Sequence, residues 1–210
     1  MNVGPVCYPP IEPDDDPALR ARLGLASVAV IGCGGLGSNI AAMLVRSGVR
    51  QLTLIDFDVV EESNLNRQMY FRDQLGQPKT HALADTLRRI EPGLDLRLVQ
   101  ECVVAHTLQP LVEDADVIVE AVDRAEVKAM IANTVLSRLP HIPLVSASGL
   151  AGVDSANDIV TEQVAEGFYL VGDLRSDVRH GHSLLASRVM VAAAHQAHTV
   201  IRIVLGYPHV

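Results

Sequence analysis

The segment that most narrows the choice of fold is Gly32-Cys33-Gly34-Gly35-Leu36-Gly37, which stands between a short apolar run, Ser27–Ile31, and a helical pattern continuing to about Ser47. Glycines at these spacings let the chain turn tightly, let its backbone approach a phosphate and let the helix pack close to the strand. The helix start adds free N–H groups and the positive end of its dipole. Gln51–Ile55 then alternates and ends at Asp56, about 20 residues beyond the last glycine. Strand, turn, helix and second strand make a βαβ unit, and a carboxylate at the tip of the second strand is placed to accept hydrogen bonds from ribose hydroxyls. The consequence is a nucleotide site. A turn kept only for close packing of helix on strand is the competing explanation.

The alternation continues along the chain. Pro78–Ile90 has helical spacing with proline at its start, Asp95–Val99 is a third strand, and Asp116–Ala121 is a continuous apolar strand. Arg124–Leu139 is an amphipathic helix and Pro143–Ser146 a further strand. This predicts an α/β fold with a doubly wound, mostly parallel Rossmann-like sheet. Beyond Gly149 the pattern changes. Asp158–Gln163 and Phe168–Val171 read as a small antiparallel tail, Gly172–Ser183 as a long mobile loop, and Leu184–Leu205 as a C-terminal helix. Five of the eleven prolines and the run Asp14-Asp15-Asp16 fall in the first 17 residues, which predicts a loose extension over 1–19 and a single nucleotide-binding domain over 20–210.

Composition removes several function classes. With aromatic residues at 3%, no tryptophan and a net charge of −8, the chain lacks both stacking platforms and a basic footprint, so no nucleic-acid partner is expected. Three cysteines without any CxxC indicate neither a disulfide framework nor a four-thiolate zinc site. Together with an acidic, proline-rich start unlike a signal peptide, they point to a cytoplasmic protein. Arg188, His195, Gln196, His198 and Arg202 interrupt the long apolar stretch, so no membrane span is expected. That helix carries more apolar surface than a small domain covers by itself, and it predicts a homodimer.

The chemistry concentrates after Asp56. Asp58, Ser63, Asn64, Arg67 and Gln68 follow within a polar loop, and Lys79 opens the next helix. Arginine and lysine together suit a triphosphate, whereas hydride transfer needs an apolar nicotinamide pocket, which disfavours an NAD-dependent oxidoreductase. Only Lys79 and Lys128 are lysines among 17 basic residues, so a lysine retained at Lys79 suggests a need for a compact point charge. Lys128, mid-helix, is expected on the surface. Asp123 follows the Asp116–Ala121 strand at the carboxyl edge of the sheet, where it would hold Mg²⁺ against phosphate oxygens or cap the next helix. His195 and His198 are expected as polar points on an interface, and Cys33 and Cys102 as small packing residues.

Taken in order, Gly32-Cys-Gly-Gly-Leu-Gly37, Asp56-Phe-Asp58-Val-Val60, Ser63-Asn-Leu-Asn-Arg67-Gln68 and Gly76-Gln-Pro-Lys79 resemble the ThiF/MoeB family, relatives of ubiquitin-activating enzymes. The resemblance covers residues 27–150, while Ser146-Ala-Ser-Gly149 and Gly172-Asp-Leu174 look like the short, single-domain ThiF type of thiamine biosynthesis. It implies a dimeric enzyme that uses ATP and Mg²⁺ to adenylate the C-terminal Gly-Gly carboxylate of a small ubiquitin-like sulfur carrier protein, ThiS-like, with release of pyrophosphate. Carried over by position, Gly32, Gly34, Gly35 and Gly37 would line the nucleotide, with Asp58, Ser63 and Gln68 beside it. Asp56 would bind the ribose, Asn64, Arg67 and Lys79 the phosphates, and Asp123 the metal. Three features depart from the family. Its paired CxxC motifs are missing, so no structural zinc is expected. No cysteine follows Cys102, which leaves adenylation as the whole reaction. The arginine lent across the dimer has only Arg20 and Arg22 as candidates. MoeB-like activation of a molybdopterin-pathway carrier and a non-catalytic nucleotide-binding module are the remaining alternatives.

Overall fold

The computed structural model describes residues 8–12, 14–176, 183–207 and 209. Strand β1 (Ser27–Ile31) lies inside the sheet, flanked on both sides. Val28 and Val30 face one core layer while Ala29 and Ile31 face the other, so both sides of the strand are covered. Two-sided burial is why this run is continuously apolar. β2 (Gln51–Ile55) and β3 (Asp95–Val99) follow on one flank, β4 (Val117–Glu120) and β5 (Leu144–Ala147) on the other, all parallel. With β6 over Val160–Ala165 and β7 over Phe168–Gly172, the strand order is β3-β2-β1-β4-β5-β7-β6. It reverses direction between β1 and β4, and a crevice at the carboxyl ends of those two strands is where such sheets bind ligands. The glycine turn leaves β1 at that point and Ala121–Asp123 leaves β4 beside it.

The C-terminal hairpin forms as expected but extends the main sheet. β7 (Phe168–Gly172) pairs in parallel with β5, and β6 (Val160–Ala165) closes the edge antiparallel to β7 with an irregularity between Gln163 and Ala165. A bulged, partly charged edge strand resists pairing with other chains.

Helices α2 (Gly35–Ser47), α3 (Lys79–Arg88) and α6 (Ala186–Val204) cover one face through Ile40, Leu44, Leu83, Leu87, Val189 and Val200. On the other face, Leu108 and Val112 of α4 (Leu108–Val112) and Ile131 and Val135 of α5 (Ala125–Arg138) pack beneath the sheet. Five residues containing Pro110 are too short for α4 to show a period, and it was not anticipated. Nor was α1 (Asp16–Leu25), which crosses the boundary drawn at residue 19. Asp15 accepts the Ala18 N–H at 3.1 Å and Pro17 lies in the first turn. Asp15, Asp16 and Pro17, at the end of the acidic and proline-rich stretch, are therefore a helix start.

The expectation that the long C-terminal helix exposes an apolar face for a second copy is corrected. α6 lies along α2, and Val189, Ala192, Ala193, Ala197, Val200, Ile203 and Val204 are buried within the chain. The polar residues that interrupt it are ties to neighbouring elements. Gln196 donates to the carbonyls of Glu120 and Val145 at 3.1 and 3.3 Å, His195 shares a 3.0 Å hydrogen bond with the Thr161 hydroxyl, and Arg188 pairs with Asp173 at 2.5 Å. Burial raises the Asp173 carboxyl, but the N–H groups of Ser176 and Arg175 and the Arg188 guanidinium outweigh it and hold the group well below the ordinary carboxylate range. His198 is exposed. No helix among the described residues is long and apolar enough to cross a membrane. The loop expected over Gly172–Ser183 falls partly outside the described residues, at 177–182.

Candidate functional site

The four motif glycines do different work. Gly32 has φ +93°, and a Cβ there would stand 2.7 Å from the Ala121 carbonyl oxygen. At Gly37 it would overlap the Gly32 carbonyl at 1.8 Å. Packing explains these two. Gly34 differs, because a Cβ there would meet only the Gln68 side-chain nitrogen, at 3.9 Å. Its missing side chain therefore keeps open the space in front of the α2 N-terminus, which packing does not require. Gly35 lies against Val189 and the stem of Arg67, 3.2 and 3.5 Å from an added Cβ, so the arginine crosses close over the helix start.

Asp56 ties the end of β2 to this turn. Its two oxygens accept the Cys33 N–H at 2.6 Å and the Asp58 N–H at 2.8 Å, one bond each, which leaves lone pairs for ribose hydroxyls. Lys79 is neither solvated nor free. Its side chain is 8% exposed and its Nζ lies 2.7 Å from Asp58 Oδ2, whose side chain is 46% exposed. Asp58, expected beside the nucleotide, is thus the lysine's counter-ion. The Tyr70 hydroxyl donates to the Cys33 carbonyl at 2.7 Å and lies 3.4 Å from that of Lys79, joining the turn to the start of α3. Burial pushes this phenol far above its ordinary range, so it remains a donor. Nothing in the sequence singled out Tyr70.

The loop carrying Ser63 to Gln68 is clamped onto α2. Asn39 donates to the Arg67 carbonyl at 3.0 Å, and Ser38 accepts the Met69 N–H at 3.0 Å. Two buried polar residues in the first half of an otherwise apolar-faced helix are the sequence signal for this clamp. Asn64 is buried, with its carbonyl oxygen capping the Glu61 N–H at 3.1 Å. The exposed Ser63 bonds to Glu61 at 3.3 Å. Arg67 donates to the Ser63 carbonyl and to Asn66 at 3.1 and 2.7 Å. The carbonyl oxygen of the Gln68 side chain is buried and meets no donor among the described residues. Leaving such an acceptor unpaired costs about 1–3 kcal/mol, recoverable from a ligand hydroxyl or amine. The Nε2 of the same amide is the atom nearest the open Gly34, 3.9 Å from an added Cβ, so the turn and this side chain together fit a nucleotide. Gly34, Asp56, Arg67, Gln68 and Lys79 share one edge of the sheet.

Asp123 is exposed, and the helix cap falls on Arg124 without a side-chain bond, so the capping role considered for Asp123 does not occur. It accepts no hydrogen bond from the described residues. Among them no group of three or more His, Cys, Asp or Glu could hold a metal. A lone carboxylate fits Mg²⁺ in the mode that shares the ion with substrate phosphates. Lys128, expected on the surface, instead pairs with the fully buried Glu120 at 2.9 Å. Arg20 pairs with Asp16 at 2.7 Å, and Arg22 donates to the Pro9 carbonyl at 2.5 Å. Cys33 is buried and its thiol is raised well above its ordinary range by that burial, whereas Cys102, expected as a small packing residue, is exposed. Iodoacetamide at pH 8 should therefore label Cys102 and leave Cys33 unmodified until the chain is unfolded. Rapid labelling of Cys33 in the folded protein, read by peptide mass, would contradict this placement.

The sequence matches the family described as ThiF family over residues 12–210. It is 38% identical over 132 residues to the adenylyltransferase and sulfurtransferase MOCS3 of Bos taurus, covering 62% of this chain and 29% of that protein. Over 75 residues it is 47% identical to ubiquitin-like modifier-activating enzyme 5 of Arabidopsis thaliana, covering 36% and 17%. The chain thus spans less than a third of these relatives' length. Among solved structures, the Escherichia coli tRNA N6-threonylcarbamoyladenosine dehydratase TcdA in complex with AMP superposes with a TM-score of 0.81 at 21% identity, covering 90% of this chain and 89% of that one. At that identity the likeness shows the shared fold.

Proposed function

The chain belongs to the ThiF family, and from that premise we propose that it is an ATP-dependent adenylyltransferase for the C-terminal carboxylate of a small ubiquitin-like carrier protein. The carboxylate oxygen attacks the α-phosphorus, an acyl–adenylate bond forms, and the bond to the pyrophosphate leaving group breaks. Two anions must meet in that step, so positive groups have to be in place beforehand. Arg67 and Lys79 provide them, Asp56 holds the ribose, and the α2 N-terminus receives phosphate oxygens at the open Gly34. Asp123 would hold Mg²⁺, which when bound neutralises developing charge on the pyrophosphate. The observation that carries the reading is the open Gly34 beside the Gln68 side chain, whose buried oxygen meets no donor among the described residues, with a buried lysine on the same edge.

A protein acceptor is favoured over a tRNA because the chain carries a net charge of −8, with 25 acidic against 17 basic residues, far from a basic footprint. A ThiS-like carrier ending in Gly-Gly, a role in thiamine biosynthesis, a homodimer and a cytoplasmic location complete the proposal. The names of the relatives, which include adenylyltransferase and ubiquitin-like modifier-activating enzyme, support its general form.

ATP–pyrophosphate exchange with and without a purified Gly-Gly-ending carrier tests it. Exchange should require the carrier, and ATP at ~100 times its dissociation constant should stabilise the fold by about 2.7 kcal/mol while NAD does nothing. Stabilisation by NAD with none by ATP would sink the reading.

A further inference from the structure

The exit of β4 contains a buried ionic cluster that the proposed reaction does not use. Glu120, the last residue of β4, is fully buried. Its carboxylate accepts Lys128 Nζ at 2.9 and 3.1 Å, the Val122 N–H at 2.8 Å and the Ser146 hydroxyl. Lys128 comes from α5 and Ser146 from β5, while Gln196 of α6 grips the Glu120 carbonyl from behind. Removing a carboxylate and an ammonium from water costs several kcal/mol, and apolar residues of similar volume often hold a core as well or better. Stability alone does not account for such a cluster.

The bond to Val122 supplies another role. The Glu120 side chain folds forward onto its own turn and holds the backbone one residue before Asp123. On the near side the Ala121 N–H bonds to the Ile31 carbonyl at 2.8 Å, and on the far side α5 begins after Arg124, its N-cap, without a side-chain cap. The glycine turn packs against the same segment, since a Cβ at Gly32 would stand 2.7 Å from the Ala121 carbonyl. We propose that Glu120, clamped by Lys128 and Ser146, is a positioning residue. Through the Val122 N–H it fixes the turn that presents Asp123 to a divalent cation on the nucleotide. The inference rests on the adenylyltransferase reading above.

Two double variants test it. Glu120→Leu/Lys128→Met removes both charges and the acceptor for Val122, whereas Glu120→Gln/Lys128→Met keeps a side-chain oxygen to accept the Val122 N–H and offers its amide NH2 to the Ser146 hydroxyl, which then accepts. Without any ligand, hydrogen exchange of the Val122 amide, followed by NMR, should be at least ~10-fold faster in the Leu variant and be restored in the Gln variant. With a non-hydrolysable ATP analogue, Mn²⁺ titrated by water-proton relaxation should bind ~10–100-fold more weakly to the Leu variant, again restored by Gln, while affinity for the metal-free analogue stays unchanged. Asp123→Asn is measured alongside. If it binds Mn²⁺ like the wild type, the metal reading fails and this inference fails with it. If Asp123→Asn loses binding while the Leu variant keeps both normal exchange and normal Mn²⁺ affinity, the positioning role alone is overturned. Ser146→Ala loosens the same carboxylate with the charges intact and should move both readouts in the same direction by a smaller factor. No movement in either would count against the clamp even if the Leu variant proved unstable.

Discussion

Lys79→Met lowers carrier-dependent pyrophosphate exchange by ~10²–10³-fold while the fold and a measurable affinity for ATP persist. The size of the effect follows from where the charge sits. The lysine side chain is 8% exposed, so water screens it poorly, and it opens α3 on the edge of the sheet that holds the glycine turn. The modest cost to stability follows from its partner. Asp58 is 46% exposed and remains hydrated when the ammonium is removed, so breaking this pair costs about 1 kcal/mol. Lys79→Arg should also lose at least ~10-fold, because a planar guanidinium on a different stem does not fit the space of a buried ammonium. Steady-state exchange kinetics and thermal unfolding by circular dichroism separate the two effects. Wild-type turnover in the Met variant would remove Lys79 from the chemistry.

Gly37→Ala and Gly34→Ala part company in the second experiment. The added methyl at Gly37 would lie 1.8 Å from the Gly32 carbonyl oxygen, a backbone atom that moves only if the turn opens. We expect a loss of ~3 kcal/mol or more, seen as aggregation on expression or a large fall in the urea midpoint. At Gly34 the methyl meets only a flexible side-chain nitrogen at 3.9 Å, so stability should change by no more than about 0.5 kcal/mol. It would instead fill the space facing the α2 N-terminus, and ATP affinity should fall by ~10-fold or more, equivalent to about 1.4 kcal/mol. A Gly34→Ala protein that binds ATP normally would show that the whole motif serves packing.

Much of the sheet was legible because β1 and β4, covered on both faces, leave unbroken apolar runs, while β2 and β3, with one face less covered, alternate. β1, β2 and β3 lie at the residues that periodicity marks. α1 and α4 were not legible, one because its capping residues also signal turns, the other because five residues carry no period. The C-terminal helix was placed by its pattern but its partner was misjudged. An apolar stripe shows that a face is covered without showing what covers it, and here α2 and the sheet do so. Lys128 misled for a related reason. A single charged residue mid-helix looks solvated until a buried carboxylate 8 positions earlier is brought against it by the turn between β4 and α5.

What the sequence by itself determined was the succession of strands and of the longer helices, the glycine turn between β1 and α2, and the residue types gathered after Asp56. These depend on backbone freedom, local period and neighbouring charge, all written within a few residues. Only the tertiary structure decided which glycines serve packing and which leaves room, that Asp58 holds Lys79, that Tyr70 joins the turn to α3, and that Glu120 anchors the turn before Asp123. Tyr70 and Lys79 meet partners 37 and 21 residues away, the Glu120 side chain is held in place by Ser146, 26 residues on, and the space at Gly34 is bounded by segments far apart in the chain. Such relations exist only after the strands have taken their places, because they are set by the register of parallel neighbours and by which faces the helices cover, and no short window of sequence contains either.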